Sequence, residues 1–144
     1  MLSLRQILVA VDNHDLSFEA ARAGADLAIQ VDAQLGLVHV IPFGQVEGNP
    51  DTGIMPEVET SLARTRSQAL FKQIEQGLPG LKPAHFIAIG HAPEHISRVV
   101  DDWPADLLVI GAHRNHRFAQ KIMGTFAEHI MHAVHCPILL ISGE

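Results

Sequence analysis

The sequence predicts an α/β domain: an open five-stranded parallel sheet with helices on both faces. Three observations carry that expectation. Five short apolar runs recur along the chain, separated by segments of helical periodicity. None of the runs alternates cleanly between apolar and polar residues, and continuous Val/Ile/Leu runs suit strands covered on both faces. Strand and helix patterns alternate throughout, the order that gives right-handed crossovers.

The expected strands are Gln6 to Val11, Leu35 to Ile41, Ala84 to Ile89, Leu107 to Ile110 and Ile138 to Ile141. Between the first two, Phe18, Ala21, Ala25 and Ala28 recur at helical spacing from Asp15 to Val31, with Asp15 or Ser17 as the cap. From Pro56 to Leu78 the stripe is Val58, Leu62, Leu70, Ile74 and Leu78, and Pro56 suits a first helical turn. From Pro93 to Asp102 it is Ile96, Val99 and Val100. A last helix, Thr125 to Val134, uses Phe126, Ala127, Ile130 and Val134. The stretch Pro42 to Ile54 is rich in Gly, Pro and Asn and reads as a loop on the C-terminal side of a strand, where open α/β sheets bind ligands.

Bulk properties bound the function. A chain of 144 residues is one domain, residues 1–144, large enough for a core without disulfides. Its single cysteine, Cys136, permits no internal disulfide and fits a reducing, cytoplasmic setting. Cys136 shows no activating base in the sequence and reads as a buried, inert thiol. The opening MLSLRQILVAVD is too short and too early charged for a signal peptide, and no stretch reaches the roughly 18 apolar residues of a membrane span. The net charge of −6 weighs against a nucleic-acid partner. Positive charge is nevertheless concentrated at His113, Arg114, His116, Arg117 and Lys121, as a small anionic ligand or a solvated loop face would each require.

Three places could carry chemistry. Asp12 ends the strand ILVAVD, where its carboxylate either accepts hydrogen bonds from a ligand's amino or hydroxyl groups or caps the following helix. Gly111 leaves the strand LLVIG and allows backbone amides to approach a phosphate, or simply meets the geometry of the turn. Gly124 and Thr125 open the last helix, whose free amides and dipole favour an anion. Thr125 to Glu128 also matches a capping box, which would satisfy that helix internally. Asp12 and Gly111 end strands expected to be neighbours across the topological switch point, so one phosphate-bearing molecule could touch all three. Among the ten histidines, His129, His132 and His135, and His91 and His95, stand at helical spacings, but no HExxH or paired-cysteine motif accompanies them and no metal site is expected.

The chain resembles the universal stress protein family over essentially its whole length. The resemblance rests on ILVAVD, LVHVI, IGHAPEHI, DLLVIGAHR and MGTFAEHIMHAVHCPILLIS, in that order and spacing. It implies the adenine-nucleotide alpha hydrolase-like fold with strand order 3-2-1-4-5, a role in stress adaptation, and a homodimer formed through the last strand, Pro137 to Ser142. An apolar strand from Ile138 to Ile141 with no later element over its edge is itself a pairing surface. In the nucleotide-binding branch, glycine, two residues, glycine, nine residues, then glycine and a small hydroxyl residue hold ATP. Here the frame is Gly111, two residues, Arg114, nine residues, Gly124, Thr125. By resemblance, Ala10, Val11, Asp12, Val40 and Ile110 line the adenine and ribose side, and Gly111, Gly124, Thr125 and Phe126 sit by the ribose and phosphates.

Arg114 is the departure. Where a positive φ or a close backbone approach is needed, arginine costs about 1 kcal/mol or more and closes the phosphate site. Alternatively its guanidinium contacts the phosphates directly. The implied ligand is ATP, or AMP or ADP, with or without Mg2+. The alternative is a dimeric protein-interaction module of the same family that binds no nucleotide. Slow ATP hydrolysis is the most an enzymatic reading allows, because no general base or nucleophile constellation stands out. The loop after the first strand reads Asp12-Asn-His-Asp-Leu-Ser17, not the Ser-Gly-Gly loop of the related ATP pyrophosphatases.

Overall fold

Strand β1 (Gln6–Ala10) takes the middle of the sheet because both of its faces are apolar. Ile7, Leu8 and Val9 have no exposed surface. Successive strand side chains point to opposite faces, so Ile7 and Val9 enter one core while Leu8 enters another. The computed structural model describes residues 2–45, 53, 55–78, 80–113 and 125–143. After β1 come α1 (Asp15–Val31), β2 (Gln34–Ile41), a short 3-10 turn (Phe43–Gln45), α2 (Pro56–Gln76), β3 (Ala84–Ile89), α3 (Ala92–Asp102), β4 (Leu107–His113), α4 (Thr125–Ala133) and β5 (Ile138–Gly143). All pairings are parallel and the strand order is β3-β2-β1-β4-β5, the expected order.

The helices divide by face. Ala20, Ala21, Ala25 and Ala28 of α1 and Leu70, Phe71 and Ile74 of α2 close the core on one side. Ile96 and Val100 of α3 and Ala127 and Ile130 of α4 close the other. The chain thus winds outward from β1 over one face, then returns to β4 and winds outward over the other. The reversal opens a crevice between the C-terminal ends of β1 and β4. Small residues let α1 lie close to the sheet: a Cβ on Gly24 would stand 2.6 Å from Val9 Cγ2. At the opposite end, the Asp106 carboxylate accepts the N–H groups of Arg5 and Gln6, at 2.8 and 3.0 Å, fastening the start of β1 to the start of β4.

Several local expectations need correction. The residue before α1 is His14, which makes no side-chain cap, and neither Asp15 nor Ser17 fills that role. The Ser17 hydroxyl instead donates to Asp12. In α2, Val58 and Leu62 are 50% and 48% exposed rather than buried. The buried face is Ala63, Ser67, Leu70, Phe71 and Ile74. At about 100° per residue, Leu62 and Val58 stand roughly 100° and 140° round the helix from Ala63, away from the sheet. Phe126 is also 42% exposed, whereas Ala127 and Ile130 are buried. Cys136 is half-buried rather than fully buried. Strands β4 and β5 run beyond their apolar runs because their pairing continues through Ala112 with Ser142 and His113 with Gly143.

Candidate functional site

The crevice is built by the tips of β1, β2 and β4, roofed by the starts of α1 and α4. A cavity of about 130 Å³ lies in it, lined among others by Ala10, Val11, Asp12, Val40, Ile110, Gly111 and Phe126. The structure therefore brings together seven of the ten residues expected at the site. Arg114 and Gly124, with His116, Arg117 and Lys121, lie outside the described residues, as does most of Pro42 to Ile54. Thr125 begins α4.

Each wall has a local cause. Ile110 is 1% exposed because it sits in the middle of β4 beneath α3 and α4. Val11 lies just past β1, yet its N–H still donates to the Val38 carbonyl at 2.9 Å, which carries the apolar wall to the crevice edge. Gly111 meets the first turn of α1: a Cβ there would stand 2.9 Å from Leu16 Cβ and 3.0 Å from the Leu16 carbonyl oxygen. This glycine is thus required for close packing between β4 and α1, whatever it does for a ligand.

Asp12 is exposed at the mouth. Its Oδ1 accepts the Ser17 hydroxyl at 2.7 Å and the His14 N–H at 3.1 Å, and its own N–H donates to the Ser17 hydroxyl oxygen at 2.8 Å. These bonds fix the turn that leads from β1 into α1, which is the structural role of an Asp in such a loop. Among the described residues none bonds to Oδ2.

Sequence reasoning passed over part of the wall. Leu16, Ser17, Val38, His39, Ala92 and Ile96 also line the cavity. A polar signal was present in one case: His39 interrupts the otherwise apolar LVHVI of β2. Its Nδ1 lies 2.7 Å from the Ser67 hydroxyl of α2, whose oxygen is 3.1 Å from the Ala63 carbonyl. Burial pushes the His39 pKa down by disfavouring the imidazolium, and the nearby Asp12 carboxylate partly opposes that shift. His39, Val40, Asp12 and His14 also border a second, more open cavity of about 940 Å³ that extends towards Glu59, Arg66 and Gln73 of α2.

Among the described residues no three His, Cys, Asp or Glu side chains gather in a way that could hold a metal ion. None of the described helices is long and apolar enough to cross a membrane.

A doubly wound parallel sheet with a crevice at its switch point defines a class of small-ligand-binding α/β domains. Comparison with known proteins narrows it: the universal stress protein family model matches residues 3–142, and the chain belongs to that family. It is 24% identical over 139 residues to universal stress protein MJ0531 of Methanocaldococcus jannaschii, covering 95% of this chain and 81% of that one. The structure of hypothetical protein MJ0577 superposes with a TM-score of 0.76 at 18% identity, covering 99% of this chain and 98% of that chain. A universal stress protein from Archaeoglobus fulgidus, solved in complex with dAMP, superposes with a TM-score of 0.65 at 22% identity, covering 98% and 99%. At these identities the structural likenesses speak for the fold.

Proposed function

We propose that this chain is a small regulatory domain of the stress response that binds ATP or a related adenine nucleotide, AMP or ADP, in the crevice between β1 and β4. The observation that carries the reading is the cavity of about 130 Å³ into which Ala10, Val11, Asp12, Val40, Ile110, Gly111 and Phe126 converge. An apolar cavity of about 150 Å³ holds one benzene, so a lobe of about 130 Å³ would enclose only part of a purine base, with the rest of the nucleotide outside it. The ribose and phosphates would extend into open space at the strand tips. There the Asp12 carboxylate can accept a ribose hydroxyl, and the α4 N-terminus at Thr125 offers its amides to phosphate. The dAMP carried by the Archaeoglobus relative supports the same ligand class. In this reading Arg114 and Gly124 complete the phosphate side, and Mg2+ accompanies ATP. Residues of β5 form the homodimer contact, and the protein works in the cytoplasm without nucleic acid or membrane insertion. Any hydrolysis is slow and depends on Asp12.

The second reading, a dimeric interaction module without nucleotide, is favoured by one observation. Asp12 Oδ1 is already engaged by Ser17 and His14, and Arg114 replaces the glycine of the nucleotide-binding frame. One measurement separates the two. Purified protein is acid-extracted and chromatographed for adenine nucleotide, then titrated calorimetrically with ATP, ADP and AMP, each with and without Mg2+. Retained nucleotide or saturable binding is the expected result. Empty protein that stays silent at millimolar ATP would overturn the nucleotide reading.

A further inference from the structure

We infer that His39 reads the ligand in this crevice: its Nε2 accepts a hydrogen bond from an N–H or O–H group of the bound adenine nucleotide, and Ser67 is the positioning residue that aims it. The inference rests on the nucleotide-binding reading above and deepens it.

The argument begins with an anomaly in packing. Ser67 has no exposed surface, although serine is neither apolar nor a favoured residue in a helix interior. A buried hydroxyl is costly unless it is hydrogen-bonded. This one lies against two groups, the Ala63 carbonyl one turn back and His39 Nδ1 on β2. A hydroxyl has one proton and two lone pairs. Donating to the Ala63 carbonyl, it accepts from Nδ1–H. With the hydroxyl proton given to the Ala63 carbonyl, His39 is taken as the Nδ1–H tautomer, with Nε2 as an acceptor.

The remaining geometry says where this acceptor is available. Leu37, two residues before His39 and on the same side of β2, is buried in the core beneath α1 and α2. His39 lies two residues nearer the strand tip, is only half-buried, and borders both the 130 Å³ cavity and the larger one on the α2 side. Among the described residues nothing bonds to its Nε2. Burial keeps the imidazole neutral, so the lone pair persists at neutral pH. A neutral acceptor favours a partner with a proton to give and disfavours another acceptor. An adenine nucleotide has two such donors: the exocyclic amine of the base and the hydroxyls of the ribose.

The test is a set of titrations of the full chain with AMP, 2′-deoxy-AMP, 3′-deoxy-AMP and purine riboside monophosphate, which lacks the exocyclic amine. One analogue should bind about threefold to tenfold more weakly than AMP, the range for one uncharged hydrogen bond, and its identity tells base from ribose. In His39→Phe, AMP should weaken by a similar factor and the gap between AMP and that analogue should close. His39→Gln, whose side-chain oxygen can stand near the Nε2 position, should restore part of the gap. A histidine with a merely structural role would weaken all four ligands alike. Two-bond nitrogen–proton NMR of the wild type should show His39 as Nδ1–H, and Ser67→Ala should shift it towards the other tautomer. If the wild type binds AMP and His39→Phe leaves both affinity and gap unchanged, the inference falls and the nucleotide reading stands. If the wild type binds no AMP, both fall. An Nε2–H tautomer in the wild type overturns the inference even where a variant fails to fold.

Discussion

At the scale of single residues, the crevice shows how one side chain can be held by packing and chemistry together. Gly111 has no room for a β-carbon, with Leu16 Cβ and the Leu16 carbonyl oxygen at 2.9 and 3.0 Å from where it would stand. The carbonyl belongs to the backbone of α1 and cannot turn aside. Gly111→Ala should therefore destabilise the protein by about 1–3 kcal/mol, the usual range for overpacking. Urea unfolding would measure it, and an unchanged midpoint would mean that α1 yields. His39 supplies a pH-dependent prediction. Burial lowers its pKa in the folded state, so between the folded and unfolded values the unfolded chain binds more protons. The stability that goes with the neutral ring is then fully present above about pH 6.5, the unfolded value, and is lost as pH falls through the lower folded value. Urea midpoints of the wild type should drop faster than those of His39→Gln on going from pH 7.5 to 5. Parallel curves would assign the drop to other groups.

At the scale of elements, two features stand out. Helix α2 has a sheet-facing side and an exposed apolar side, because its stripe is two overlapping patterns rather than one. The residues Leu70 and Ile74 were legible as core, while Ala63 and Ser67, which are small or polar, were not. Apolarity says that a residue favours burial; only the position of the sheet says which face is covered. Strand β5 is an edge of the sheet, with Ile138, Leu140 and Ile141 half-buried and Leu139 37% exposed. An apolar edge is a pairing surface. If β5 forms the dimer, Leu139→Asp places a charge there and should convert dimer to monomer in light scattering, while circular dichroism stays unchanged. A dimer that persists would move the contact elsewhere.

At the scale of the whole molecule, the two cores share the sheet, and Asp106 ties β1 to β4 at the end away from the crevice. We expect one cooperative unit. The only tryptophan, Trp103, lies at the end of α3 against Phe86 of β3, with ring centroids 5.5 Å apart. Its fluorescence therefore reports on one side of the sheet, whereas circular dichroism reports on every element. Their urea transitions should coincide. Separate midpoints would reveal two independently unfolding parts.

The sequence by itself determined the class of fold and the elements of the sheet, while the family resemblance supplied seven of the fourteen residues that line the crevice. Continuous apolar runs that alternate with helical patterns suit strands covered on both faces. Tertiary structure decided what depends on contacts between distant segments. Ser67 looks like an ordinary polar residue of a helix until β2 places His39 against it, and Ser17 looks like a cap until Asp12 takes its hydroxyl. Gly111 looks like a turn residue until the backbone of α1 is found where its side chain would be. Periodicity records which residues favour burial, but a hydrogen bond or a steric limit exists only between partners, and here those partners come from different elements of the fold.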